Sequence, residues 1–437
     1  LTSDHGDVVL GASSVVDVSA PTGGGDAGSL VVSTPEGSFT LDGVLSAKGG
    51  TGGNNGSFKL DSATLAEFSA LSTSLAKASF TRELSFRVRN EDVTIDGTTL
   101  ARNFSLAADQ GSITVTGLID ASGNTGGSIH LAANKNLTLA STAELTVAGK
   151  DFSSAGKGGD ITLEAGTQRN GISGAGVIDL TTGSIIDLSV DSKVAGSATA
   201  TGSSASNGKF SGKLHLRAPL VNGNTDIAVS SLSSTIVDPS AIIVEGYRIY
   251  DLTSPGGEIT TTVQNQIRTD AVNFLGTAGT TTANYSTITN RLLAGNTGLS
   301  STLVLAPGAE IINRTGDLTL GTSGGTATGD WNLATFRFGA KSAAGVLTLR
   351  AAGNLVFNNS LSDGFTAVTP SSTNGQSSMW YAALATQNEL LPVNAQSWSY
   401  RLTAGADLSA SDSASVIDLE DLSSGTGSLL LGRPGEN

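Results

Sequence analysis

The sequence has no cysteine in 437 residues. This excludes a disulfide-stapled scaffold and any thiolate metal site. It also suits a chain that crosses an oxidising compartment unfolded, where thiols would crosslink early. Charge is scarce too: Asp, Glu, Lys and Arg make up 14% of the chain, and 38 acidic against 24 basic residues leave a formal charge of −14. Nucleic-acid binding needs clustered Lys and Arg that displace counterions. The densest basic stretch, Arg82 to Arg89, is interrupted by Glu83, so no nucleic-acid partner is expected. No run approaches the length of apolar residues that a membrane-spanning helix needs. Leu1-Thr2-Ser3-Asp4-His5 shows no basic region followed by an apolar one, as a signal peptide would. The only Met is Met379. The chain therefore reads as a mature or internal piece of a longer precursor.

What is present is a returning phrase: glycine, then a short strand of alternating apolar and polar residues. It occurs at Gly56-Ser57-Phe58-Lys59-Leu60, Gly127-Ser128-Ile129-His130-Leu131 and Gly159-Asp160-Ile161-Thr162-Leu163. It returns at Gly212-Lys213-Leu214-His215-Leu216 and Gly345-Val346-Leu347-Thr348-Leu349. Alternation is the period of a half-buried strand. A unit that repeats this way buries its apolar face by stacking on copies of itself, which predicts an all-β solenoid. The expected common core holds Ile129, Ile161 and Leu214 on stacked parallel strands. The step between copies varies, from Phe58 to Ile129 and from Ile161 to Leu214 above all, so rungs of roughly 20–30 residues with loops of variable length are expected. About 20 such rungs, at about 4.8 Å each, give a rod about 90–100 Å long.

Three regions follow. Residues 1–235 read as rungs with Gly/Ser-rich loops, Ser197 to Gly208 being one. Within them Leu65, Phe68, Leu71 and Leu75 stand at helical spacing and mark a helical insertion. Residues 236–300 lose the glycine-rich pattern. Val263, Ile267 and Phe274 predict one or two short helices packed outside the stack. Residues 301–437 return to rungs, richer in aromatics, with a loop at Ser371 to Gly375.

Few side chains suggest chemistry. His130 and His215 lie between two apolar strand residues, so alternation places them outward, where solvation is expected. Carboxylates at glycosidase spacing are offered by Asp187 with Asp191, and by Asp418 with Glu420 and Asp421. A solvated face is the expected reading, since these residues occupy outward or turn positions and no Asp-Asp dipeptide or Gly-His-Gly accompanies them. Gly23-Gly24-Gly25-Asp26 and Gly158-Gly159-Asp160 resemble calcium-binding nonapeptides but lack tandem repetition, so turns are expected. Asn136, Asn354, Asn358 and Asn359 stand near strand starts, where amides can stack into ladders. Trp331, Phe336, Phe338, Phe357, Trp380, Tyr381, Trp398 and Tyr400 gather late, as core filling or as a platform for glycan rings.

From Gly246 onward the order of phrases resembles one family. Gly246-Tyr247-Arg248-Ile249-Tyr250-Asp251 is followed by Asp317-Leu318-Thr319-Leu320 and by Asp330-Trp331-Asn332-Leu333-Ala334-Thr335-Phe336-Arg337-Phe338-Gly339. Then come Leu347-Thr348-Leu349-Arg350-Ala351-Ala352-Gly353-Asn354-Leu355, Ser360-Leu361-Ser362-Asp363-Gly364-Phe365, and Ser397-Trp398-Ser399-Tyr400-Arg401-Leu402. This half of the chain resembles the shaft of filamentous-haemagglutinin-like exoproteins of Gram-negative bacteria. The resemblance implies a right-handed parallel β-helix, export by two-partner secretion through an outer-membrane pore, and a place on the cell surface or in the extracellular matrix. It implies an adhesin, a biofilm component or a stalk carrying a toxin, with surface glycans or proteins as partners. It assigns no catalytic, cofactor-binding or metal-ligating residue, and no enzymatic activity is expected. A polysaccharide-active β-helix enzyme is the competing class. Val8-Val9-Leu10 and Leu429-Leu430-Leu431 look uncapped, so a further rung of the same polypeptide, or a second copy stacked head-to-tail, is expected beyond them.

Overall fold

The computed structural model describes residues 1–149, 158–166, 176–190, 211–254, 256–321, 330–363 and 397–432, and the backbone of 365–368 and 379–382. The loops expected at Ser197 to Gly208 and Ser371 to Gly375 lie outside the described residues, as do Asp191 and the side chains of Trp380 and Tyr381. The protein is mostly strand, arranged in large parallel sheets with few helices.

The longest sheet carries twelve strands paired parallel: Val8–Leu10, Ser29–Leu41, Gly56–Thr64, Phe80–Val88, Asn103–Ala108, Ser128–Ala133, Asp160–Glu164, Lys213–Val221, Ala241–Asp251, Leu303–Asn313, Val346–Ala351 and Ser399–Ala404. A second sheet stacks Val93–Ile95, Ile113–Val115, Leu137–Leu139, Ile178–Leu180 and Val229–Leu232. A third stacks Thr98–Leu100, Leu118–Asp120, Glu144–Thr146, Ile185–Asp187 and Thr235–Val237. Between Phe80 and Val237 the chain visits the three sheets in one fixed cyclic order. Its corners need glycine: Gly97 has φ 71°, and a Cβ on Gly117 would lie 2.0 Å from the Gly97 carbonyl oxygen.

Alternation turns one side of each long strand inward, and the register aligns those side chains. Leu30, Phe58, Leu84, Phe104, Ile129, Ile161, Leu214, Ile242 and Leu303 form one continuous buried row. Ile129, Ile161 and Leu214 therefore share one core, as the repeat implies. The gap between Phe58 and Ile129 holds two further copies, at Leu84 and Phe104. Phe58, Phe86, Phe68 and Phe104 add an early aromatic cluster, with centroids 5.3–6.2 Å apart.

The helices stand where helical spacing places them. Helix α1 (Phe68–Lys77) buries Phe68, Leu71 and Leu75. Helices α2 (Thr261–Leu275) and α3 (Ala283–Leu293) are N-capped by the hydroxyls of Thr260 and Thr282. Ile267 and Phe274 are buried and Val263 is half-buried. Strand Ala241–Asp251 precedes these helices and belongs to the longest sheet, pairing directly with Leu303–Asn313, the strand that follows the helices in the chain.

The regular stacking on which the expected rod length rests is interrupted. The longest sheet steps sideways at Leu303–Asn313, whose second half alone, from Gly308, pairs with Val346–Ala351. Eight strand steps separate Phe80–Val88 from Ser399–Ala404, about 38 Å in a straight stack. Yet Arg87 bonds Asp407, three residues past that last strand, at 2.5 Å. The sheet folds back, so that its outward side faces other parts of itself.

Candidate functional site

The outward row beside the core carries the most unusual chemistry. Register places Asp61, Arg87, Ala107, Ala132, Glu164, Arg217 and Glu245 in line along the longest sheet. Glu310, Arg350 and Arg401 stand at outward positions of the later strands. Alternation sends these side chains away from the apolar core, and the fold-back buries them. Arg217 and Glu245 are each 1% exposed, Glu164 is 2% and Glu310 and Arg350 are 3%.

Arg217 is the hub. Its Nη1 donates to Glu164 at 3.2 Å, its Nε to Glu245 at 3.0 Å and its Nη2 to Glu310 at 2.5 Å. Its guanidinium lies 3.8 Å from the centroid of the Tyr247 ring, a cation–π stack that only a planar cation makes well. Tyr247 donates its hydroxyl to the Gly166 carbonyl at 2.5 Å. Arg350 reaches Glu310 at 3.1 Å, and Arg401 reaches Glu245 at 3.2 Å. Arg87 joins Asp109 at 2.7 Å as well as Asp407, and Arg89 makes a two-pronged pair with Asp61 at 2.7 Å on each prong.

The histidines belong to this network, which corrects the expectation of solvation. His130 Nε2 lies 3.1 Å from Glu164, and His215 Nε2 lies 2.8 Å from Glu245 without hydrogen-bond alignment. Their side chains are 29% and 19% exposed. Burial disfavours the His130 cation, but the Glu164 bond outweighs it and raises the imidazole above its ordinary range. Burial likewise opposes charge on Glu164, and His130, Arg217 and Arg401 overcome it, holding that carboxyl well below the usual range. Against the same burial, Arg401 and Arg217 bring Glu245 down to about 2. Arg217 and Arg350 lower Glu310. Glu164, Arg217, Glu245 and Glu310 hold one another charged, which makes the cluster cohesive, while Arg350 Nε and His215 Nε2 lack an aligned hydrogen-bond partner among the described residues.

The other candidates disperse. Asp187 spends a carboxylate oxygen on the Ser189 N–H at 2.9 Å. Asp418, Glu420 and Asp421 are exposed in a turn. Asp26 caps Asn54 and pairs with Arg82, consistent with turn chemistry. Among the described residues no three His, Asp or Glu side chains form a metal-ligating group. The expected amide ladder does not form at Asn136, Asn354 and Asn358. Asn136 Oδ1 accepts from Val177 N–H, and Asn354 and Asn358 donate to the carbonyls of Gly425 and Gly321. Trp331, Phe336, Phe338 and Trp398 fill core through edge-to-face contacts at 6.3–6.5 Å. Tyr400 and Leu402 face an open hollow of about 910 Å³ at the end of the sheet, with Asp330, Asn359 and Asp363. Asp363 is occupied by Arg337 and by the Trp398 N–H.

Among the described residues no helix is long and apolar enough to cross a membrane. No family model matches the chain, and neither a curated protein nor a solved structure shows significant similarity to it.

Proposed function

We propose that the chain is part of the shaft of a secreted bacterial surface or extracellular protein, of the filamentous-haemagglutinin-like kind exported by two-partner secretion. In this reading the three parallel sheets are the faces of a right-handed β-helix, and the protein works through stacked backbone pairing and exposed loops, without enzymatic activity. The observation that carries it is the unbroken inward row from Leu30 to Leu303, paired in parallel register across nine strands. Such a stack grows by adding rungs, transmits force through lateral backbone bonds and leaves its loops free to vary. The phrases after Gly246 support the family reading, and with it a surface location and glycan or protein partners.

The test has two arms. Joined behind a two-partner secretion domain and expressed with its pore, the chain should reach the cell surface in protease-accessible form and increase attachment to glycan-coated surfaces. Retention inside the cell, or export without any gain in attachment, contradicts the proposal. Incubated with acidic and neutral polysaccharides, the purified chain should release neither reducing ends nor unsaturated products. Turnover would favour the polysaccharide-active alternative.

A further inference from the structure

The segment after the last strand of the longest sheet makes two kinds of contact. At its base it is tied to its own neighbourhood by backbone. Ala406 N–H bonds Ala351, Asp407 N–H bonds Ser415, and Ile417 N–H bonds Gly405, at 2.8, 3.0 and 2.8 Å, closing residues 406–416 into a loop. Arg350 donates to the Asp407 carbonyl and Thr403 to the Ser413 carbonyl. The base is therefore formed by residues close at hand. Its side chains touch strands laid down some 300 residues earlier. Asp407 takes Arg87 at 2.5 Å, while Ser411 gives its N–H to Asp109 and its hydroxyl to the Ala108 carbonyl, both at 2.8 Å. Nearby, Arg401 of the last strand reaches Glu245.

The asymmetry between these ends is the informative feature. The buried apolar side chains of the loop are the methyls of Ala406 and Ala410, while Leu408 is half-buried and Val416 is 54% exposed. Apolar burial normally dominates permanent docking, and the far contact is instead polar and ionic. Ionic contacts depend on one geometry, and Arg87 keeps Asp109 as its partner when the loop is withdrawn. We propose that loop 406–416 is a reversible latch, held to the early strands by the Asp407–Arg87–Asp109 bridge and the Ser411 contacts, whose release lets the folded-back sheet open toward an extended form. This inference stands on the contacts alone and holds whether or not the chain is a secreted shaft.

Because the sequence contains no cysteine, the contact can be trapped cleanly. In the full chain, Asp109→Cys with Ser411→Cys puts thiols on the two residues joined by the bond from the Ser411 backbone N–H to the Asp109 carboxylate. Oxidation at sub-micromolar protein should give one disulfide within each monomer, seen as a faster band without reductant and an unchanged monomer mass. Adding Arg87→Ala and Arg401→Ala should slow that crosslinking about tenfold or more, since each arginine supplies a charge-assisted bond. The far-UV strand signal should be unchanged. In small-angle scattering, the reduced four-substitution chain should be longer than the oxidised two-substitution chain. Crosslinking only between molecules, a rate indifferent to the arginines, or equal lengths overturns the latch. Loss of the strand signal together with the contact overturns it as well, because the network would then be part of the core.

Discussion

Arg217→Ala is the sharpest single perturbation of the buried network. The arginine is 1% exposed and joins three carboxylates at 3.2, 3.0 and 2.5 Å. Removing one partner of a buried ion pair costs about 3–5 kcal/mol, because a charge is left uncompensated. Three such pairs do not triple that figure, for each carboxylate keeps another partner. Glu164 keeps His130, Glu245 keeps Arg401 and Glu310 keeps Arg350. The lost stack on Tyr247 adds up to about 2 kcal/mol, so about 4–6 kcal/mol is expected at pH 7, read from urea denaturation followed by circular dichroism. The signature that separates charge from packing is its pH dependence. Without Arg217 the buried carboxyls bind protons more readily, and each unit of pKa regained is worth about 1.4 kcal/mol. The deficit should therefore narrow as pH falls from 7 to about 4.5. Arg217→Met, which restores the stem, should behave alike. A deficit below about 1 kcal/mol, or one that does not change with pH, refutes the reasoning.

Three further outcomes follow from the same contacts. The folded-state pKa of His130 is raised, so its contribution is complete below about pH 6.5 and is lost as pH rises through the raised value. Glu164, Glu245 and Glu310 are lowered, so theirs is present above about pH 4.3 and is lost as pH falls, for Glu245 toward about 2. The thermal midpoint should therefore be highest between about pH 4.5 and 6.5, and His130→Gln should flatten the decline on the alkaline side; an unaltered decline excludes His130 as its source. Phe274, 0% exposed, anchors α2, and Phe274→Ala should cost about 3–5 kcal/mol, whereas a loss under 1 kcal/mol would place the helix outside the folding unit. A Cβ on Gly246 would meet Leu220 at 2.5 Å and Phe274 at 2.7 Å, so Gly246→Ala should destabilise by about 1–3 kcal/mol, and a neutral result in the same urea assay would disprove that packing.

Much of the fold was legible because alternation and register are both written locally. Ile129, Ile161 and Leu214 follow the same phrase and stack, and α1 and α2 announce themselves through Phe68, Leu71, Ile267 and Phe274. The copies at Leu84 and Phe104 are less legible because Glu83-Leu84-Ser85-Phe86 and Asn103-Phe104-Ser105-Leu106 lack the leading glycine. The charge network was hidden for another reason. Alternation tells which side of a sheet a residue occupies, but nothing of what covers that side. For Glu164, Arg217 and Glu245 the cover comes from strands and a loop far along the chain. A signal was nonetheless present: the phrase closes Leu-Glu164-Ala, Leu-Arg217-Ala and Val-Glu245-Gly, with the charge at one register position and its sign alternating from copy to copy. Opposite charges placed one strand apart are what neighbouring positions of a parallel sheet favour, and a buried sheet face requires them.

Parallel stacking in register is the central claim, and the second sheet tests it most directly. Thr94, Thr114, Thr138 and Asp179 pair in sequence as outward neighbours, and Thr94 and Asp179 are exposed. Three strand steps separate those two, about 14 Å, although they stand 85 positions apart in the chain. Spin labels on Thr94→Cys and Asp179→Cys should show strong dipolar broadening from a single short separation, equal in dilute and concentrated protein. Labels that report no coupling, or coupling only in concentrated samples, would place the two strands in different bodies and contradict the stack.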